Sequence, residues 1–289
     1  IPSSDNQSES TYSNIPIELV IKEEEVYSRL SAISSSKVVG PDEIPNWGLK
    51  SYAHVLALPV TSIFNASLQQ ASVPDVWKKA DVIPVPKNKA PSDINKDLRP
   101  ISLTATLSKT CERFVADWLM QSIGEKIDKR QFGSIKNSST THALLSMVHH
   151  LLNETDASKN SVRIFVLDFS KAFDYIDHNV LLNKLSVLNV PPVIINWIRS
   201  FLTRRSQRVR MSHCMSEWQI LNGGVPQGTV LGPTLFLIMI NDLLTDWKDR
   251  WKYVDDTTTA ETIGPDCNSN LQDLVNYIVT WTKNNNMKL

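Results

Sequence analysis

The sequence carries no excess of charge of either sign. Its 289 residues include 30 Lys and Arg and 30 Asp and Glu, so the formal net charge is zero. A balanced chain lacks the overall positive field that attracts nucleic acid, and any such binding must depend on local basic patches. The contents of 42% hydrophobic and 21% charged residues are typical of a globular protein.

Cysteine is scarce. Cys111, Cys214 and Cys267 stand far apart and form no Cys-x-x-Cys pair, which argues against a zinc site and against a disulfide framework. The neighbours His213 and Cys214 are only a weak candidate for a metal-binding pair. This usage is typical of a reducing, intracellular compartment.

Long apolar runs are also missing. The longest, Leu235–Ile240, is far too short to span a bilayer, and no signal peptide is visible, so we expect no membrane association. The chain begins at Ile1 and ends inside a segment patterned like a structured element, and we therefore expect a fragment of a longer polypeptide. Its length suffices for one large subdomain or two to three small ones.

Apolar periodicity and breaker residues predict a mixture of helices and strands. Residues 1–14 are polar and Ser-rich, which predicts a linker or disordered segment. The predicted helices cover residues 22–33, 49–70 with an interruption at Pro59, 107–123, a segment ending near Leu152, 179–188, 193–202, 229–244 and 269–283. The predicted strands cover residues 81–86, 99–103, 162–167, two segments within 204–220, a hairpin at 251–260 and a strand beginning at Met287.

Two adjacent carboxylates, Asp255 and Asp256, lie at the tip of the predicted hairpin at 251–260. Two unit charges at 4 Å repel by about 4 kcal/mol at an effective dielectric of about 20. Solvent screening or a bound cation relieves such repulsion. The pair is therefore either a polar turn or half of a metal site.

The order of the later elements predicts a specific topology. Strand 162–167, helix 229–244, the hairpin, helix 269–283 and a strand from 287 form βαββαβ, the ferredoxin-like arrangement. In that sheet the first strand lies beside the hairpin, so Asp168 is predicted to meet Asp255 although 87 positions separate them. The apolar run at 162–167 further predicts a central strand buried on both faces.

Two basic clusters are candidates for phosphate contact. Each could instead be a solvated surface. The first surrounds the predicted hairpin at 81–103 and is a candidate clamp for phosphate: Lys78, Lys79, Lys87, Lys89, Lys96 and Arg99. The second has no intervening acid and fits contact with a nucleic-acid backbone: Arg199, Arg204, Arg205, Arg208 and Arg210. Between it and the next helix, a Gly/Pro loop at 222–228 allows backbone to approach a ligand closely.

Several segments together resemble the reverse transcriptase domain, most closely that of non-LTR (LINE-type) retrotransposons. They occur in the order typical of that family: KVVGPDEIP (37–45), VIPVPKN (82–88), LRPISL (98–103), SKTCERFVADWL (108–119), QFG and SSTTHALL (131–145), FVLDFSKAFDYIDH (165–178), GGVPQGTVLGPTLFLIMINDL (223–243), YVDDTT (253–258) and WTKNNNMKL (281–289). The resemblance implies an α+β, right-hand polymerase fold without a thumb. Residues 1–36 would be a linker and leading helix, 37–161 the fingers, and 162–289 a truncated palm.

The resemblance also implies roles for individual residues. Asp168, Asp255 and Asp256 match the catalytic carboxylates that hold two Mg²⁺ ions, for which Mn²⁺ is an alternative, and the Phe169 carbonyl would add a ligand. Residues matching those that contact the incoming dNTP are Lys87, Arg99, Phe173, Gln227 and Gly228, with Phe173 excluding a ribose 2′-hydroxyl. A basic surface for nucleic acid would comprise Arg204, Arg205, Arg208 and Arg210.

The partners implied are an RNA template, a DNA primer and dNTPs, in the nucleus or cytoplasm. A group II intron-like reverse transcriptase or maturase is one alternative, and a non-catalytic RNA-binding module with the same fold is another. The stretch Gln131–Ile135 departs from the family's usual QFGF followed by a base, and Ser138–Thr140 lacks the usual basic residue. Both changes affect positions at which the fingers would contact the template.

Overall fold

The computed structural model describes residues 16–87, 92–93, 97–158, 160–264 and 267–289. The predicted linker at 1–14, and Lys89 and Lys96 of the first basic cluster, lie outside these ranges. Nine helices are described: α1 (Glu23–Ser31), α2 (Asn46–Ser51), α3 (Ala53–Gln69), α4 (Thr106–Ile123), α5 (Thr140–Ser158), α6 (His178–Val187), α7 (Pro192–Leu202), α8 (Leu231–Met239) and α9 (Leu271–Asn284). Short 3₁₀ turns lie at Ile17–Leu19, Asp75–Lys78 and Gly124–Lys126.

The described strands form two sheets. The first contains β1 (Lys79–Pro86), β2 (Leu98–Leu103), β4 (Ser206–Met211), β5 (Cys214–Met215) and β6 (Gln219–Ile220). Its order is β2-β1-β4-β5, with β6 also on β4. Strand β1 is antiparallel to β2 and parallel to β4. The second sheet has the order β3-β8-β7, built from β3 (Ser161–Leu167), β7 (Arg250–Tyr253) and β8 (Asp256–Ile263).

The hairpin predicted at 251–260 is confirmed. Tyr253 pairs with Asp256, so Val254 and Asp255 form a two-residue turn between β7 and β8. Val254 has φ +57°, a left-handed conformation that costs a residue with a Cβ about 1–2 kcal/mol. Backbone strain of this kind persists only where surrounding contacts hold it.

The prediction that strand 162–167 is buried on both faces is wrong. Ile164 is 52% exposed and Val166 is 67% exposed, and of the residues in β3 only Leu167 is buried. Ile164 and Val166 are alternate residues and therefore face the same side of the sheet, and no other described element buries that side. Among the described residues, β3 is also an edge strand of the second sheet. A fourth strand from Met287 is not formed there, although the Lys288 carbonyl accepts one hydrogen bond from the Ser170 amide at 3.0 Å.

Two predicted helices have different bounds. Pro59 does not interrupt the helix around it, and α3 runs through it from Ala53 to Gln69. The helix predicted at 229–244 ends at Met239, and Leu244 has φ +57°. The 204–220 region forms three short strands rather than two.

Among the described residues, no helix is both long enough and apolar enough to cross a membrane.

A buried ion pair lies beneath the hairpin. Lys252 has no exposed surface, and its Nζ is 2.9 Å from Asp128 Oδ2 and also donates to the carbonyls of Ile240 and Asn241 at 3.1 Å. Asp128 accepts two further bonds from Arg250, at 2.9 and 2.7 Å. Burial raises the pKa of Asp128, but hydrogen bonds from Arg250 and the charge of Lys252 outweigh it and hold the pKa at about 2. Burial lowers the pKa of Lys252 to about 8.

We predict that this pair makes the fold acid-sensitive. The folded-state pKa of Asp128 is about 2 against an ordinary value of 3.8, so its stabilisation is present above the unfolded pKa and lost as pH falls through the folded pKa. About 2 kcal/mol of unfolding free energy should disappear between about pH 4 and pH 2. Urea unfolding across this range measures the loss. Asp128→Asn should be less stable at pH 7, and its free energy of unfolding should fall less between about pH 4 and pH 2. A fall as large as that of the unaltered chain would contradict the assignment.

Candidate active site

The sheet register brings the three predicted carboxylates together. Leu167 pairs with Thr257, and Asp168 follows at the end of β3, level with Asp256 at the start of β8. Asp255 occupies the adjoining turn. Burial raises the pKa of Asp255, and the charges of Asp256 and Asp168 raise it further, against a lowering backbone hydrogen bond. Asp255 therefore lies within electrostatic reach of both Asp168 and Asp256.

The carboxylates differ in exposure. Asp168 and Asp256 are exposed to solvent, whereas Asp255 is half-buried. The side chain of Phe169 is buried against Trp281, with ring centroids 6.2 Å apart. This packing holds the backbone that follows Asp168. The end of β3 is therefore anchored in the core, while the Asp168 carboxylate faces solvent.

Phe173 lies between this segment and the helix that follows the Gly/Pro loop. Its ring stacks on Phe236 of α8 at 4.9 Å, and its carbonyl accepts a hydrogen bond from the Val225 amide at 2.9 Å. The ring is only half-buried. Phe173 thus has a packing partner and retains some exposed surface.

The Gly/Pro loop at 222–228 packs very closely against Asp174, which follows β3, and against Ser102 in β2. Gly224 has φ +74°, and a Cβ there would lie 2.7 Å from the Asp174 carbonyl oxygen. Gly228 has φ +106°, and a Cβ there would lie 2.7 Å from the Ser102 carbonyl oxygen. Only glycine fits these positions without strain. The Gln227 carbonyl accepts the Ser102 amide at 2.7 Å, which joins the loop to β2.

A cavity of about 190 Å³ lies where this loop meets β2 and β4. Its polar lining comes from four segments that are distant in sequence: Ser102, Asp174, Gln207 and Gln227. Burial raises the pKa of Asp174. The predicted site residue Gln227 therefore shares a pocket with Asp174 and Gln207, to which the sequence interpretation assigned no role.

Glu112 is a further residue that sequence reasoning missed. It is fully buried on α4 and accepts hydrogen bonds from the amides of Val230 and Leu231 at 2.7 and 3.3 Å, at the start of α8. A carboxylate at a helix N-terminus satisfies amides that have no partner within the helix. The sequence feature that could have identified Glu112 is an acidic residue on the apolar face of an amphipathic helix, between Cys111 and Val115.

The first basic cluster is only partly available for a ligand. Lys87 and Arg99 are both exposed at one end of the β1–β2 hairpin, where Val85 pairs with Arg99 and the Lys87 amide donates to the Asp97 carbonyl at 2.7 Å. Lys78 is only 7% exposed, and its Nζ lies 3.9 Å from Asp75. Burial lowers the pKa of Lys78. The interpretation of Lys78 as a solvent-facing phosphate ligand is therefore wrong.

The chain matches a known protein family. The family described as "Reverse transcriptase (RNA-dependent DNA polymerase)" matches residues 85–289, which include the three carboxylates, Phe173 and the Gly/Pro loop. The chain belongs to the reverse transcriptase family.

The most informative relatives of this reverse transcriptase domain are products of mobile elements. It is 31% identical, over 77% of its length, to a probable RNA-directed DNA polymerase from transposon BS of Drosophila melanogaster. It is 30% identical, over 92% of its length, to the RNA-directed DNA polymerase from mobile element jockey of the same species. It spans 25% and 30% of those two proteins, respectively.

A solved structure shares the fold. The telomerase of Candida Tropicalis in complex with a fragment of telomeric RNA aligns with a TM-score of 0.52 over 80% of this chain and 43% of the telomerase, at 13% sequence identity. At that identity the comparison shows the fold alone, an α+β domain of the reverse transcriptase type.

The donor set of the reverse transcriptase domain suits a hard divalent cation. Three carboxylates offer only oxygen ligands, which Mg²⁺ prefers, and their mutual repulsion falls when a cation lies among them. Among the described residues, no group of three or more His, Cys, Asp or Glu side chains is already arranged as a metal cage. Mg²⁺ commonly binds through one or two carboxylates together with waters and substrate phosphates, so the residues present fit this ion without a complete protein cage.

The interpretation of four arginines as one nucleic-acid surface needs correction. Arg205 is only 1% exposed. It donates to the Phe201 carbonyl at 2.9 Å, and its guanidinium lies 4.6 Å from the Phe201 ring. Arg208 and Arg210 form ion pairs with buried Asp81, at 2.7 and 3.6 Å. No acid separates the arginines in sequence, but the parallel pairing of β1 with β4 places Asp81 opposite Arg208. Arg204 remains exposed.

The two neighbouring arginines give a matched test of this correction. Arg205→Ala should lower the free energy of unfolding by roughly 2–4 kcal/mol, because it removes a buried, hydrogen-bonded side chain. Arg204→Ala should change it by less than about 0.5 kcal/mol, because that side chain is exposed. Denaturant unfolding measures the free energy of unfolding of both variants. Equal losses in the two variants would contradict the burial of Arg205.

Proposed function

We propose that this chain carries the polymerase active site of a non-LTR retrotransposon reverse transcriptase, which adds dNTPs to a DNA primer on an RNA or DNA template. The observation that carries the proposal is the convergence of Asp168, Asp255 and Asp256 from two segments within a family of RNA-dependent DNA polymerases. The relatives named above are themselves described as RNA-directed DNA polymerases. This supports synthesis over an RNA-binding module without catalysis, and a mobile-element enzyme over an intron maturase.

The carboxylates would hold the metal ions of the reaction. Asp168 and Asp255 are the principal ligands in this proposal, with Asp256 and the Phe169 carbonyl in support. When bound, two Mg²⁺ ions activate the primer 3′-hydroxyl and stabilise the departing pyrophosphate. The half-buried position of Asp255 strengthens its interaction with a cation, because the local dielectric is lower than that of water.

Five further residues would hold the nucleotide. Lys87 and Arg99 are exposed cations at one end of a hairpin, and they would grip the triphosphate, Lys as a point charge and Arg as a bidentate fork. Gln227 and Gly228 would line the nucleotide and template pocket. The exposed part of Phe173 would contact the sugar and exclude a 2′-hydroxyl. Arg204, exposed next to β4, would contact the nucleic-acid backbone.

The proposed partition assigns residues 37–161 to the fingers and 162–289 to the palm, preceded by a linker and helix at 1–36. The hairpin that carries Lys87 and Arg99 falls in the first range, and the three carboxylates fall in the second. Strands β4 to β6 come from the second range but join the sheet of the first. The junction would therefore hold the nucleotide-binding hairpin in a fixed relation to the carboxylates.

Asp255→Asn should reduce Mg²⁺-dependent primer extension on an RNA template by at least about a hundredfold, because it removes a metal-binding charge while keeping the size of the side chain. The assay uses the complete protein with a primer annealed to RNA. Asp246→Asn, an exposed aspartate in the segment before β7, is the matched control and should extend normally. Equal extension by the Asp255→Asn protein would refute the proposal.

Phe173→Ala should raise the incorporation of rNTPs relative to dNTPs on the order of tenfold or more, because the smaller side chain admits a 2′-hydroxyl. Competition between rNTP and dNTP in primer extension measures the ratio. Phe236→Leu disturbs the same aromatic stack from the buried side and should leave the ratio unchanged. An unaltered ratio in the Phe173 variant would leave that ring with a packing role alone.

A further inference from the structure

The segment Asp128–Gly133 runs along the outer edge of the hairpin that carries Asp255. The Lys252 amide donates to the Arg130 carbonyl at 2.9 Å, and the Phe132 amide donates to the Lys252 carbonyl at 2.8 Å. These bonds form a parallel bridge between Gln131 and Lys252. Strand β7 therefore has a partner on both sides, β8 on one and this segment on the other.

The side chain of Gln131 reaches the turn itself. Its Oε1 accepts the Val254 amide at 3.2 Å and the Gly133 amide at 2.8 Å. Gln131 is only 5% exposed. Val254 is the residue with φ +57° that immediately precedes Asp255. A side chain from a segment more than 120 positions away thus holds the strained residue of the turn.

Packing alone does not account for a glutamine at this position. Its Nε2 is buried and has no hydrogen-bond partner among the described residues. An unpaired buried donor is unfavourable, and an apolar side chain of similar length would avoid it. An apolar side chain would, however, lack the oxygen that accepts hydrogen bonds from the amides of Val254 and Gly133.

Gly133 brings backbone against the same turn. A Cβ at this position would lie 2.4 Å from the Val254 nitrogen and 2.8 Å from the Tyr253 carbonyl carbon. No side chain fits in that space. Asp128 anchors the other end of the segment through its bonds to Lys252 and Arg250. The segment therefore contacts the hairpin at its base, along its edge and at its turn.

We propose that Gln131 is a positioning residue for the catalytic turn, which acts by holding the Val254 amide so that the Asp255 carboxylate meets Asp168. This inference rests on the proposed polymerase function. It assigns the Gln131-Phe132-Gly133 stretch to the support of the metal-binding turn rather than to direct contact with the template. A positioning role of this kind requires rigid support close to the reacting groups.

The direct test compares two near-isosteric variants. Gln131→Met keeps the length of the side chain and removes the acceptor, whereas Gln131→Glu keeps an acceptor oxygen. Amide hydrogen exchange of a peptide covering residues 250–258 reports on the turn without any requirement for activity. Gln131→Met should accelerate exchange at Val254 by roughly 3- to 10-fold, the effect of losing one hydrogen bond. Gln131→Glu should leave that exchange close to the original rate.

Kinetics of the complete protein then separate positioning from general stability. Gln131→Met should lower kcat for primer extension by roughly tenfold and raise the Mg²⁺ concentration that gives half-maximal rate, while the KM for dNTP changes little, because the triphosphate contacts are untouched. A merely structural role would lower the amount of active protein without moving the Mg²⁺ half-saturation point.

The outcomes distinguish this inference from the proposed function. Exchange at Val254 that is equally slow in Gln131→Met and in the unaltered protein would overturn the positioning role, whether or not the protein extends primers. Faster exchange with an unaltered Mg²⁺ dependence would also overturn it. Failure of the proposed function would instead appear as an absence of Asp255-dependent extension in the unaltered protein.

Discussion

Seven residue pairs join β3 to β8, from Ser161 opposite Ile263 to Leu167 opposite Thr257. The register of this ladder decides whether the candidate site exists. With this register, Asp168 leaves β3 level with Asp256 and beside the turn that holds Asp255. A slip by one residue would turn every side chain of β3 to the opposite face of the sheet. Such a slip would expose Leu167, which is buried in the observed register.

The ladder brings like charges together, and the surrounding structure withstands their repulsion. The hairpin has an ion pair at its base, between Asp128 and Lys252, and Gln131 holds its turn. Glu112 stabilises the end of the Gly/Pro loop by accepting a hydrogen bond from the Val230 amide at the start of α8. Each support comes from a residue that is buried and polar, and each lies outside the set of residues that would contact substrate. The backbone beneath the exposed carboxylates is therefore held in place by groups that would not themselves bind the cation.

The local elements and the placement of the strand before Asp168 beside the Asp255–Asp256 hairpin could be predicted from the sequence, because both depend on short-range pattern and on the order of strands and helices. The exposure of β3 could not be predicted, since an apolar run looks the same whether or not other elements pack on both faces of the strand. Arg205 and Arg208 show a similar limit. Their spacing indicated a basic surface, but burial and a partner on a parallel strand are properties of tertiary structure. The role of Gln131 was also hidden, because its contact is a backbone amide more than 120 positions away.

We propose that Asp168 and Asp255 bind divalent cations together. A crystal of the complete protein with primer–template, Mn²⁺ and a non-hydrolysable dNTP, measured at the manganese absorption edge, tests it most directly. We expect two anomalous peaks about 3.5–4 Å apart, with Asp168 and Asp255 as ligands of both. Nucleotide bound with no manganese in contact with either carboxylate would contradict it.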